Sequence, residues 1–203
     1  MKARTRIVWL FVLLFVQSLY FLINQSVQGG VLLDTRWDAF IPLWPIWAVP
    51  YLLSLLWWAG SFVWAAWKMD TDLYSALVVG MLTIMLISYL IFIFYPTYVN
   101  RPIVTGDNWT TDLVRLIYSQ DRSYNACPSG HAYTTVLIAL FWTRWYPDKR
   151  WLWVAVTIIV LLSTLFTGQH YLLDLITGIL LAWSGYYFGL WYVKMSKKWS
   201  SAK

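Results

Sequence analysis

Charge is scarce in this chain: 12% of its 203 residues are Asp, Glu, Lys or Arg, against about 25% in a soluble globular domain. With 60% hydrophobic and 20% aromatic residues and a mean hydropathy of +0.58, an ordinary water-soluble domain is excluded. Cysteine is rarer still. Cys127 stands alone, so no intrachain disulfide can form. No internal repeat, low-complexity tract or soluble linker domain breaks the chain, and a single membrane-embedded domain over 1–203 is expected. Histidine occurs only twice, as His131 and His170.

What the chain has in plenty is apolar length. A bilayer crossing needs roughly 20 apolar residues, and six segments approach this, near 7–27, 42–67, 73–95, 131–147, 151–168 and 172–193. The fold class expected is therefore all-α, a polytopic bundle of six transmembrane helices. The sixteen tryptophans and fourteen tyrosines suit the two interfacial belts of such a bundle. Lys2, Arg4 and Arg6 before an apolar run also resemble a signal peptide. Asn24-Gln25-Ser26-Val27-Gln28 offers no small-x-small cleavage site, so an uncleaved helix is expected.

The basic residues orient the bundle. With six crossings, eleven fall on one side: Lys2, Arg4, Arg6, Lys68, Arg144, Lys149, Arg150, Lys194, Lys197, Lys198 and Lys203. Arg36, Arg101, Arg115 and Arg122 fall on the other. By the positive-inside rule both termini are expected to be cytoplasmic, with the 96–130 and 168–171 loops together on the outer face. The net charge of +6 is then topological, and no nucleic-acid partner is implied. The partners expected are membrane lipids.

Within 96–130, Thr110 to Gln120 has the period of a short amphipathic helix, with Leu113, Leu116 and Ile117 on one face and Asn108 or Thr110 as its cap. Pro42, Pro45 and Pro50 predict an irregular start to the second span. Gly185 and Gly189 form a Gly-x-x-x-Gly suited to close helix packing within the monomer.

The chemistry gathers around the two histidines. Cys127-Pro128-Ser129-Gly130-His131 sits at a helix start, where unpaired N–H groups and the positive dipole end attract anions. In Gln169-His170-Tyr171-Leu172-Leu173-Asp174 the histidine and the aspartate are four residues apart and share a helix face. An imidazole with an orienting carboxylate beside an anion cradle points to phosphoryl transfer, in which catalysis is mostly positioning and charge stabilisation. Arg101 has a planar fork suited to phosphate oxygens. Ser129 and the Gly130 N–H can donate to the same group. His170, oriented by Asp174, is the candidate nucleophile, and His131 the candidate acid for the leaving alkoxide. Asp107, Asp112 and Asp121 have no compact metal-ligand spacing and are expected as solvated loop charges. Cys127 is expected to be structural.

These residues resemble a known family. The chain looks like the type 2 phosphatidic acid phosphatases, or lipid phosphate phosphatases, whose relatives include vanadium haloperoxidases and acid phosphatases. That family carries Lys-x6-Arg-Pro, Pro-Ser-Gly-His and Ser-Arg-x5-His-x3-Asp in this order. Arg101-Pro102 matches the end of the first block, Pro128-Ser129-Gly130-His131 the second, and Ser163, His170 and Asp174 the third, so the resemblance covers roughly residues 90–180. It implies a lipid phosphate substrate, a phosphohistidine intermediate, and no metal or other cofactor. Phe94 stands where the family has lysine, and Thr164 where it has its second arginine. The Ser163–Tyr171 stretch is closer to the branch that contains inositol phosphorylceramide synthases. Arg122, with Arg115 behind it, is the residue expected to turn inward and supply the missing charge.

The leading expectation is a metal-independent lipid phosphatase acting on an outer-leaflet phosphomonoester or pyrophosphate. The alternative within the same fold is a phosphotransferase that hands a phospho-headgroup to an alcohol. More distant are an intramembrane serine protease built on Ser129 and a haem carrier ligated by His131 and His170.

Overall fold

The computed structural model describes residues 3–201; Lys2 and Lys203, counted above among the inner basic residues, lie outside them. The chain is all-α, built on α1 (Ala3–Ser26), α2 (Ala48–Lys68), α3 (Thr71–Phe94), α4 (Trp109–Gln120), α5 (Gly130–Trp145), α6 (Arg150–Phe166) and α7 (Leu172–Ser201). Two short strands, β1 (Val31–Leu32) and β2 (Thr97–Tyr98), pair in parallel.

Helix starts follow from side chains that satisfy free N–H groups. Asp70 accepts from the Leu73 amide at 2.9 Å ahead of the apolar run of α3. Asn108 accepts from the Thr110 and Thr111 amides at 3.0 and 3.1 Å, closing a capping box on α4. The prolines act as expected: Pro45–Trp47 forms a 3-10 turn, and α2 starts at Ala48 with Pro50 in its first turn, where its missing N–H is not needed.

Five helical stretches among the described residues are long and apolar enough to cross a membrane: Ala3–Ser26, Pro45–Lys68, Thr71–Phe94, Pro147–Phe166 and Leu172–Trp199. The fourth expected span is α5, which at 16 residues falls short of the roughly 20 that a crossing needs. It runs through the centre of the bundle, with ten of those 16 residues buried. Around it, α3 and α7 pack most closely. An added Cβ at Gly80 would lie 2.5 Å from the Gly185 carbonyl oxygen, and one at Gly189 would collide with the Ala76 carbonyl. The Gly-x-x-x-Gly thus serves helix contact within the chain. Tyr74, Phe92 and Phe141 are the largest fully enclosed side chains of this core. Phe11, Leu14, Phe15, Leu56 and Leu90 face outward, as suits helices bathed in lipid.

The two ends of the bundle differ. At one, the Arg6 guanidinium donates to the Met69 and Ala66 carbonyls at 2.7 and 3.2 Å and to Thr71 Oγ1 at 2.9 Å. An ion pair from Lys197 to Asp72 ties the end of α7 to the start of α3 at the same end. At the opposite end lie the segments 27–47, 95–129 and 167–171. They are laced together by the β1–β2 pair, by Trp44 N to the Phe166 carbonyl at 2.8 Å, and by the stacked rings of Trp44 and Phe166. Both histidines belong to this end.

Candidate active site

The loop before α5 is held from several sides. Tyr98 pairs with Tyr124 in an isolated bridge. The Asn125 amide donates to the Thr97 carbonyl at 2.8 Å, and the Cys127 amide to Thr97 Oγ1 at 2.8 Å. Asn24, buried at the end of α1, donates to the Tyr124 carbonyl at 2.9 Å and accepts from the Arg122 amide at 3.2 Å. Ser129, fully buried, then caps α5 by accepting from the Ala132 amide at 3.2 Å. Its own amide donates to the Asp174 carbonyl at 2.9 Å, which locks the start of α5 to the start of α7.

The His170 turn is built as tightly. Gly168 adopts φ +64°, a left-handed conformation that glycine takes without strain, and a Cβ there would strike Pro102 Cδ at 2.7 Å. Asp174 Oδ2 accepts from the Tyr171 amide at 2.9 Å, and Asp38 Oδ1 from the Leu172 amide at 2.9 Å, so two carboxylates serve the N-terminus of α7. His170 Nδ1 stands 3.4 Å from Asp174 Oδ2, near enough for charge pairing and longer than a strong hydrogen bond. The His131 and His170 rings, 39 residues apart in sequence, have centroids 5.9 Å apart. His131 packs against Tyr51 and Trp58 of α2, at 4.3 and 4.9 Å between centroids. Trp58 is itself fixed by its Nε1 donating to Thr135 Oγ1 at 3.0 Å.

Both histidines and Gly130 line one cavity of about 280 Å³. Its walls continue along Tyr20 and Phe21 of α1, Leu52 and Leu55 of α2, and Leu116 and Ile117 of α4. The expected amphipathic helix therefore does two things: Val114 and Ile117 pack on Ala48 and Tyr51, and Leu116, Ile117 and Gln120 line the cavity. Buried polar atoms without a partner concentrate here. Among the described residues, seven of nine such atoms belong to Arg101, Asn125, His131, Gln169, His170 and Asp174.

Arg101 is part-buried and faces this region without lining the cavity. Its Nη1 donates to the Asp121 carbonyl at 2.6 Å, its Nη2 to Gln169 Oε1 at 2.8 Å, and its Nε is left unpartnered. The guanidinium lies 4.6 Å over the Tyr118 ring. A Cβ at Gly130 would meet nothing nearer than Tyr133 Oη at 3.6 Å, so no neighbouring protein group demands glycine there.

Arg122 corrects the sequence expectation. It is exposed, its Nη1 donates to the Gln25 carbonyl at 2.8 Å, and it lies 4.8 Å over Tyr124. The reason is that Asn24 grips the backbone at 122 and 124, which leaves the Arg122 side chain outward over the end of α1, on the Gln25 carbonyl. Arg115 bridges Asp112, Asp107 and the Gly106 carbonyl on the α4 surface. Asp107 and Asp112 are solvated as expected.

Asp121 is not a solvated loop charge. Its carboxylate lines the cavity and accepts from Tyr20 Oη at 2.8 Å. Burial raises its pKa above the ordinary 3.8, against the opposing pull of the Tyr20 hydrogen bond, Arg101 and His170. Asn125, Gln169, Tyr20 and Tyr51 were likewise not signalled by motif; only the proximity of Asn125 and Gln169 to the two histidines in sequence pointed to them. Cys127 is buried with its Sγ 3.1 Å from Thr177 Oγ1, and burial pushes its thiol pKa up, which fits a structural thiol.

No curated protein and no solved structure gives a significant match to this chain. A family model does: it spans residues 12–188, from the middle of α1 through most of α7, and so takes in the whole cavity and both histidine turns. The family it describes is the PAP2 superfamily, and with most of its length matched this chain belongs to it.

Proposed function

We propose that this protein is a membrane-embedded lipid phosphatase that works through a phosphohistidine on His170. The observation that carries the reading is the pair of imidazoles 5.9 Å apart on one cavity, with Asp174 behind His170. Membership of the PAP2 superfamily supports phosphatase-type chemistry. In the first step the free His170 nitrogen attacks phosphorus, the P–O bond to the lipid breaks, and His131 gives its proton to the departing alkoxide. In the second, His131 takes a proton from water, the resulting hydroxide attacks phosphorus, and the P–N bond breaks to return His170. Asp174 steadies the imidazolium charge. Arg101, Ser129 and the Gly130 N–H at the positive end of α5 offset charge on the phosphoryl oxygens. These roles need no metal.

The cavity walls support a lipid rather than a soluble ester. Phe21 and Leu55 line the cavity and are also exposed on the outside of the bundle, so an apolar tail can lie between α1 and α2 while its phosphate reaches the histidines. The site end carries four of the fifteen basic residues, which supports an extracytoplasmic site. Single cysteines at Asp107 and Ser196, labelled in sealed vesicles, are expected to react from opposite sides.

The test of function is phosphate release by purified protein in detergent, from phosphatidic acid, a polyprenyl pyrophosphate and a sphingoid phosphate, beside His170→Ala. Release that requires His170 is expected, and no release from any of them removes the reading. Transfer to an alcohol is a second reading, favoured by the polar groups of Gln17, Gln120 and Asp121 on the cavity wall, which suit a hydroxylated acceptor. Added alcohols then divert phosphate from water to a phosphoester product.

A further inference from the structure

We propose that Asn125 is a substrate-binding residue of this site, donating from Nδ2 to a non-bridging phosphoryl oxygen. The inference rests on the phosphoric-ester reading above and deepens it. Phe94 and Thr164 remove two cations expected of the resembling enzymes, and Arg122 faces away, so other donors must hold the phosphate. Asn125 is 2% exposed, lines the cavity with Gly130, His131 and His170, and has no partner for either Nδ2 or Oδ1.

The alternative is that Asn125 serves only its backbone. Its φ is +60°, a region that asparagine enters more readily than most residues. Two observations weigh against that. Glycine meets the same conformation without strain, whereas a buried, unpaired amide is costly to folding. The backbone is also held independently, by the Asn125 amide on the Thr97 carbonyl and the Cys127 amide on Thr97 Oγ1. The side chain contributes nothing to this bracing. A group kept at a cost to folding and turned into a cavity beside two histidines is one that acts on a ligand. The loop that presents it ends five residues later at Gly130, at the N-terminus of α5, so Asn125 and the first residues of that helix, Gly130 and His131, line the same space.

The donor is neutral, and this makes the test sharp. Asn125→Gly keeps the left-handed backbone and deletes the amide, while Asn125→Asp keeps the shape and puts an anion against the phosphate. Each full-length protein is purified in detergent and its melting temperature measured with and without orthovanadate, an oxyanion that mimics phosphate and its five-coordinate transition state. Phosphate release from phosphatidic acid is read in parallel. Wild type is expected to be stabilised by orthovanadate. Asn125→Gly is expected to melt within a few degrees of wild type without ligand, to bind orthovanadate at least about tenfold more weakly, and to lose about 10²-fold in kcat/KM, as when one donor to a developing oxyanion is removed. Asn125→Asp is expected to lose more than Asn125→Gly in both readouts. Equal vanadate stabilisation and kcat/KM within threefold of wild type in Asn125→Gly overturn the assignment while leaving the phosphatase reading intact. Absence of any vanadate effect and any phosphate release in wild type removes the phosphatase reading, and this inference with it.

Discussion

Gly178 of α7 lies directly against the Ser129 carbonyl at the start of α5: a Cβ there would fall 2.7 Å from that oxygen and 2.8 Å from Ala132 Cβ. This contact, with Ser129 N on the Asp174 carbonyl at 2.9 Å, draws the two helix starts together and sets the spacing of His131 and His170. Gly178→Ala is expected to push the helices apart, costing about 1–3 kcal/mol of stability as overpacking does. Activity should fall further than stability, since small displacements of reacting groups cost about 10²-fold. Thermal unfolding and phosphate release on the same preparation check both.

The two members of the His170–Asp174 pair should separate in kinetics. His170→Ala removes the attacking group and should lower kcat by at least about 10³-fold. Asp174→Asn keeps an oxygen to accept from the Tyr171 amide but loses the charge, so the fold should stay intact and activity should fall less than in His170→Ala. Equal losses in the two variants would mean that Asp174 does more than orient and stabilise.

The parts of this arrangement that were legible in sequence are those with a local signature. Apolar runs gave the helices, the two cap candidates Asn108 and Thr110 bracketed the start of α4, which Asn108 caps, and the Pro-Ser-Gly-His and His-x3-Asp blocks brought His131, His170 and Asp174 to one end. The 96–129 segment is less legible because long-range bonds shape it. Asn24 and Tyr20, about a hundred residues away on α1, turn Arg122 out and Asp121 in, and no periodicity within the loop encodes that choice. The central position of α5 was also hidden. Its composition resembles that of a lipid-facing span, and only packing against α3, α6 and α7 distinguishes the two.

The arginines give a direct contrast. Arg122→Ala should leave kcat and KM within about twofold of wild type, because an exposed guanidinium bonded to a main-chain carbonyl contributes little. Arg101→Lys should lower kcat/KM well below that of Arg122→Ala, since an ammonium cannot bridge the Asp121 carbonyl and Gln169 Oε1 in the plane of the guanidinium. A large loss in Arg122→Ala would mean that the side chain swings inward when substrate binds. Steady-state kinetics on phosphatidic acid decide between these outcomes.

Asp121 offers a pH signature. Burial raises its carboxyl pKa above 3.8, so the unfolded chain ionises this group at lower pH than the folded one does. The resulting stability is fully present below 3.8 and is lost as pH rises through the folded value. Asp121→Asn does not ionise, and its amide oxygen can still accept from Tyr20 Oη. The melting temperature of Asp121→Asn minus that of wild type should therefore be near zero below pH 3.8, grow as pH rises above it, and level off once the folded carboxyl has ionised. Denaturation in detergent at a series of pH values measures this difference. A difference that instead shrinks with rising pH would show that Tyr20, Arg101 and His170 together outweigh burial, and that Asp121 is held as a stabilised anion on the cavity wall.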